Sequence, residues 1–99
     1  MITTKQRATL RAMVNTYEPV MQIGKEGIQE NSLKQIEDLF EARELFKIKV
    51  LQNCDVPAKV LASQIQEKTN CEIVQVIGGK ISLYKRSSKK DFKHIPLDK

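Results

Sequence analysis

The tetrapeptide Gly24-Lys25-Glu26-Gly27 is where residue types and spacing in this chain suggest chemistry. Glycine at both ends of a tight loop lets backbone N–H groups approach a ligand with no Cβ in the way. A helix starting just beyond it would add unpaired N–H groups and the positive end of its dipole. Lys25 supplies a mobile cation, and Glu26 subtracts charge at the same place. The ligand that suits such a loop is a phosphate. The string lacks the longer glycine span and closing Lys-Ser/Thr pair of a Walker loop, and its bland alternative is a plain strand-to-helix turn.

Other chemistry is thinly supplied. His94 is the single histidine and lies in a basic tail, where solvation is the expected state. Cys54 and Cys71 form no Cys-x-x-Cys and have no partnering histidines, so they read as two reduced, partly buried thiols rather than zinc ligands or a disulfide. Glu30, Glu37, Glu41 and Glu44 recur at helical spacing and read as a solvated acidic stripe, without the burial that tunes paired carboxylates for acid–base work. These features favour binding over catalysis, with no cofactor and no metal.

The elements that must position the glycine loop follow from periodicity. Thr3-x-x-Gln6 has the form of a capping box, and Leu10, Met13, Val14 and Tyr17 follow at helical spacing, which predicts a helix over 4–16 ended before Pro19. Val20 to Ile23 is a short strand running into Gly24. Leu33, Ile36, Leu39 and Phe40 mark a helix over 29–43. Phe46, Ile48 and Val50 alternate with Lys47 and Lys49 in a strand over 45–51. Asp55 is placed to cap a third helix, with Pro57 in its first turn and Val60, Leu61 and Ile65 on its apolar side. Cys71 to Ile77 and Lys80 to Arg86 are strands joined by Gly78-Gly79, a two-residue hairpin signal. The order α-β-α-β-α-β-β predicts one α/β domain: a four-stranded mixed sheet with helices packed on a face, parallel across the helical crossovers and antiparallel at the hairpin. Residues 1–86 form this domain, and 87–99 a basic, partly disordered tail that Phe92, Ile95 and Leu97 could dock locally.

The chain has 99 residues, one domain's worth, and a formal charge of +5. Residues 26–44 hold six acidic and two basic residues, whereas both ends of the chain are basic. Such a balance suits a polyanionic partner. No apolar run is long enough for a bilayer, and the polar start lacks a signal peptide's apolar stretch, which points to a cytoplasmic protein without membrane contact. If Phe46, Ile48, Val50, Val74, Val76, Ile81 and Leu83 face the helices, the open face carries Lys47, Lys49, Gln75, Tyr84 and Arg86, joined by Gln22 if its register matches. Cations, amides and an aromatic ring can pair with phosphates and stack a base.

Lys5-Gln6-Arg7, Pro19 to Gly27 (PVMQIGKEG), Glu41 to Leu51 (EARELFKIKVL) and Val74 to Tyr84 (VQVIGGKISLY) resemble the YhbY family, the stand-alone bacterial form of the CRM (chloroplast RNA splicing and ribosome maturation) domain. The resemblance spans about residues 3–86. It implies a fold similar to the C-terminal domain of translation initiation factor three, and RNA binding during assembly of the large ribosomal subunit, with 23S rRNA of the 50S precursor as partner. Its loop motif maps onto Gly24, Lys25, Glu26 and Gly27, although many members have a small residue where this chain has Glu26. The surrounding cationic field is then Arg7, Arg11, Lys47, Lys49, Lys85 and Arg86, with Tyr84 beside it. A monomer is expected. The alternative is a protein-interaction adaptor that docks on ribosomal proteins through the acidic helix face. Replacing Gly27 by a β-branched residue is expected to weaken RNA binding while sparing stability.

Overall fold

The first helix begins where the sequence offers reciprocal caps. In the computed structural model, which describes residues 2–89 and 94–96, the Gln6 N–H donates to the Thr3 hydroxyl at 3.1 Å and the Thr3 N–H donates to the Gln6 amide oxygen at 2.9 Å. Helix α1 (Thr4–Val14) buries Leu10 and Val14 but stops short of Tyr17, which lies beyond the helix in a turn closed on the Met13 and Val14 carbonyls. Strand β1 (Met21–Ile23), helix α2 (Glu30–Arg43), strand β2 (Leu45–Val50), helix α3 (Ala58–Thr69) and strands β3 (Glu72–Ile77) and β4 (Lys80–Tyr84) complete the expected order. At α3 the N-cap is Pro57, not Asp55, and no side chain caps the helix. Its core face is Leu61, Ala62 and Ile65; Val60 is exposed because the helix is rolled to seat Ala62 instead.

The strand order is β1-β2-β4-β3, with β1 parallel to β2 and β4 antiparallel to both neighbours. Strands β2 and β3 therefore run the same way without touching. The α3 crossover carries the chain one place too far, and the hairpin folds β4 back into the gap. Gly79 is required there: a Cβ would stand 2.8 Å from the Val50 carbonyl oxygen.

Helices cover both faces of the sheet, not one. On the first face, Ile23, Phe46, Ile48, Ile81 and Leu83 pack against Ile36 and Phe40 of α2 and Leu61, Ala62 and Ile65 of α3. On the second, Leu45, Val74 and Tyr84 pack against Leu10 and Val14 of α1. The pairing of β3 with β4 slips between Ile73 and Gln75, and this irregularity turns Val74 to the α1 side while Ile73 and Val76 stay with the larger core. Strict alternation from sequence cannot show such a slip. Each fully buried aliphatic side chain here contributes roughly 1.5–3 kcal/mol relative to exposure.

The segment after β4 is held by α2's last turn, so the acidic stripe is not wholly solvated and residues 87–89 and 94–96 are docked. Glu44 is fully buried, and its carboxylate accepts from the Ser87 N–H at 2.7 Å and the Ile95 N–H at 2.8 Å, with His94 Nδ1 at 2.5 Å. His94 is thus an internal contact rather than a solvated tail residue. The Glu41 carboxylate accepts from the hydroxyls of Ser87 and Ser88 and from the Ser88 N–H. Ile95 packs on the second core, while Phe92 and Leu97 lie outside the described residues.

Both carboxylates titrate below the ordinary range. Burial pushes Glu44 up, but the hydrogen bonds from His94, Ile95 and Ser87 outweigh it. The Ser88 hydroxyl first, then Ser87 and the Ser88 N–H, lower Glu41 from 4.5 to about 2. A depressed folded-state pKa contributes stability that is complete above the unfolded value and is lost as pH falls through the folded one. Chemical denaturation should therefore show stability declining as pH drops below about 4.5, and Glu41→Gln should flatten that decline. Equal slopes for the two proteins would contradict this account.

Candidate nucleic-acid interface

The glycine loop closes as a β-turn, with the Gly27 N–H donating to the Gly24 carbonyl at 3.0 Å. One loop N–H is thus used internally. Gly27 has φ +69°, where a residue with a Cβ is strained by about 1–2 kcal/mol. Gly24 has no such need: its φ is not positive, and a Cβ would meet Leu51 Cδ1 at 3.7 Å and Asn53 Oδ1 at 3.9 Å, ordinary contacts. The fold requires glycine at 27 and does not require it at 24. Gly27→Val is therefore not stability-neutral as the sequence suggested, and should lower Tm by roughly 4–16 °C. Gly24→Ala should leave Tm nearly unchanged and weaken binding of a ligand seated on the loop. Thermal melts paired with binding titrations check both.

Helix α2 starts three residues past Gly27, at an N-cap, Gln29, whose side chain makes no capping bond. Its amide instead donates to the Glu26 carboxylate at 2.9 Å. Helix α3 is likewise uncapped by a side chain. Both helices start at the edge where the parallel strands β1 and β2 end, the crevice in which open α/β sheets place ligands. Gln22, Gly24, Lys25, Glu26, Gly27, Gln29 and Ser32 line an open hollow at this edge.

A row of side chains leads away from it across the second face. Gln22 pairs with Lys49, Lys49 with Lys80, and Lys80 with Ile77, one residue from each strand. At roughly 4.8 Å per strand the row is about 14 Å long. Lys49 and Lys80 stand directly opposite one another, an arrangement that costs stability in an antiparallel pair. Neither has an acidic partner among the described residues, where the ion pairs are Arg7–Glu72 and His94–Glu44. Ile77 ends the row 63% exposed. The next row holds Lys47, which is mostly covered and shares a hollow with Asn15, Gln75, Lys80 and Ser82. Helix α1 covers only the far end of this face, so the expected open surface is half present.

The expected site residues separate accordingly. Gly24, Lys25, Glu26, Gly27, Lys47 and Lys49 are brought together, with Gln22 in matching register. Arg7 is instead a tether: it donates to the Ile73 carbonyl and lies 3.4 Å from the Glu72 carboxylate, fastening α1 to the edge strand. Tyr84 is buried under α1, which pushes its phenol pKa up, and presents no ring for stacking. Lys85 donates to the Thr69 carbonyl at 2.7 Å, satisfying the end of α3. Arg86 is exposed beside Glu37, Asp38 and Glu41. Lys85 and Arg86 follow the opposite end of β4, about 17 Å or more from Lys80 along the strand. Arg11 is exposed on α1 with no ion-pair partner among the described residues. Lys80 joins the site although sequence reasoning does not single it out. Alternation with Ile81 and Leu83 already turns it outward, but its importance appears only with Lys49 opposite.

Among the described residues, no three His, Cys, Asp or Glu side chains gather as metal ligands, and Cys54 and Cys71 are unpaired, with burial pushing the Cys71 thiol pKa up. No helix among the described residues is long and apolar enough to cross a membrane. What remains is a small α/β domain whose exposed chemistry suits an anion. The chain belongs to the CRS1/YhbY (CRM) domain family, whose model matches residues 2–85. It is 41% identical over 97 residues to the Bacillus subtilis protein named Probable RNA-binding protein YqeI, covering 98% of this chain and 99% of that one. It is 30% identical over 86 residues to a Haemophilus influenzae RNA-binding protein, covering 87% of each. The solution structure of SAV1595 from Staphylococcus aureus, described as a candidate RNA-binding protein, superposes with a TM-score of 0.79 at 48% identity, covering 99% of this chain and 100% of that one.

Proposed function

We propose that this chain is an RNA-binding protein of the cytoplasm that acts as a monomer and without catalysis, gripping rRNA of the large-subunit precursor during ribosome assembly. The observation that carries the RNA reading is the Lys49–Lys80 pair in line with Gln22 and the glycine turn. Two cations held opposite one another are relieved by an anion, and a track of about 14 Å suits a chain of phosphates better than a single small ion. The names of the relatives support RNA as that polyanion, and the YhbY resemblance supports the ribosomal precursor. Gly24 gives backbone access, Lys25 contacts a phosphate at the turn, and Lys49 and Lys80 contact phosphates along the row, with Lys47 at its margin and Arg11 adding to the field.

If Lys25, Lys49 and Lys80 each neutralise a phosphate, log K against log salt should fall with a slope of about −2.1 to −2.7. A salt-independent affinity for rRNA would remove the electrostatic account. Crosslinking in cells, with sequencing of the attached RNA, tests the partner: precursor large-subunit rRNA is the expected recovery, and scattered messages or no RNA would overturn it.

A further inference from the structure

Strands β1 and β2 end side by side, and each leads into a tight turn. The Leu51 N–H donates to the Ile23 carbonyl at 2.8 Å, which locks the second turn against the first. The Cys54 N–H donates to the Leu51 carbonyl at 3.0 Å, placing Gln52 and Asn53 at the exposed centre of a turn over 51–54. Asn53 Oδ1 lies 3.9 Å from where a Cβ on Gly24 would stand. Asn53 is exposed, and its amide therefore lies open beside the glycine turn.

We propose that Asn53 reads a base: its amide pairs with the edge of an unpaired nucleotide whose phosphate rests on Gly24 and Lys25. This rests on the RNA-binding reading and adds a specificity determinant to it. Three observations converge on Asn53. A turn asparagine commonly bonds its own backbone, but the Asn53 amide makes no hydrogen bond among the described residues. A planar amide offers a donor and an acceptor together, the pattern that distinguishes one base edge from another, which Lys25 and Lys49 cannot do. The glycine turn supplies the phosphate contact beside that amide: Lys25 follows Gly24, whose Cβ position lies 3.9 Å from Asn53 Oδ1, so a cation neighbours the amide. The phosphate therefore sits toward Lys25 and the base toward Asn53. Unpaired bases are the ones that proteins read on RNA, because their edges are free.

The test uses the full chain and a pool of RNA hairpins with randomised loops, sequenced before and after capture. The wild-type chain should enrich one base at one loop position by about tenfold, and Asn53→Ala should abolish that preference. The salt slope and Tm should stay unchanged in Asn53→Ala, because the residue is exposed and carries no charge. Lys25→Ala should lower capture of all loops together and keep the preference. An Asn53→Ala chain with the wild-type preference would overturn the proposal, as would wild-type capture with no preference. Failure of the wild-type chain to capture any RNA would instead overturn the RNA-binding reading and this proposal with it.

Discussion

Lys49→Glu should weaken RNA binding by about 10- to 100-fold while raising the melting temperature by a few degrees. The two effects have opposite signs because the residue serves opposite roles in the free and bound chain. In the free chain Lys49 faces Lys80 directly across two antiparallel strands. Like charges so placed destabilise, and an opposite pair contributes about 0.2–1 kcal/mol, so the glutamate converts a repulsion into an attraction. In the bound chain the glutamate removes a charge-assisted hydrogen bond worth about 1.5–3 kcal/mol and repels the phosphate as well. The salt slope should become less steep by about 0.7–0.9 for each phosphate no longer neutralised. Thermal melts and binding titrations on the same preparation check both signs. Lower stability together with unchanged binding would mean that the row is only the wet side of the sheet.

Replacing Glu44 by alanine should cost about 3–4 kcal/mol, a Tm decrease on the order of 15–25 °C, and release the segment after β4 to proteolysis. The Glu44 carboxylate accepts from the Ser87 and Ile95 N–H groups and contacts His94, on a side chain with no exposed surface. Removing it takes that acceptor from the Ser87 and Ile95 N–H groups in a covered site, at about 1–3 kcal/mol each where no water can replace it. Glu44 is also strained: it has φ 64° at the end of α2, outside the regions a residue with a Cβ prefers. Glycine is ordinarily less stabilising than alanine, but here Glu44→Gly should be more stable than Glu44→Ala by about 1 kcal/mol. Urea denaturation of the two variants measures the difference, and alanine above glycine would contradict the strain. RNA binding should survive in Glu44→Gln, which keeps the shape and one acceptor, because the hub lies beyond the opposite end of β4 from Lys80.

Local signals in this chain resolve most of its local structure. The Thr3–Gln6 capping box, the Leu33-Ile36-Phe40 stripe, the Phe46-Ile48 alternation and the Gly78-Gly79 hairpin each depend on neighbours in sequence, and each is present in the fold. The departures share one cause. Spacing makes Asp55 a cap and Val60 a core residue, but spacing alone does not fix how a helix is rolled against its sheet. Pattern leaves Tyr84 and Arg7 available, whereas their partners, α1 for one and the edge strand for the other, are about seventy residues away along the chain. His94 and Glu44 look solvated in sequence, though a contact fifty residues apart joins a half-buried His94 to a fully buried Glu44.

Composition and pattern by themselves determined the order of elements, the glycine turn between β1 and α2, and the excess of cations over acids. Only the tertiary structure decided which cations are free. Lys85 and Arg7 hold the chain together, whereas Lys49 and Lys80 face each other with no acidic partner among the described residues, on a strip that α1 leaves uncovered. The physical reason is that charge is a property of a residue, but its availability depends on what else the fold brings within hydrogen-bonding distance. Strand pairing, a slipped register in β3 and the reach of one short helix set that here, and none of them is a local property of the sequence.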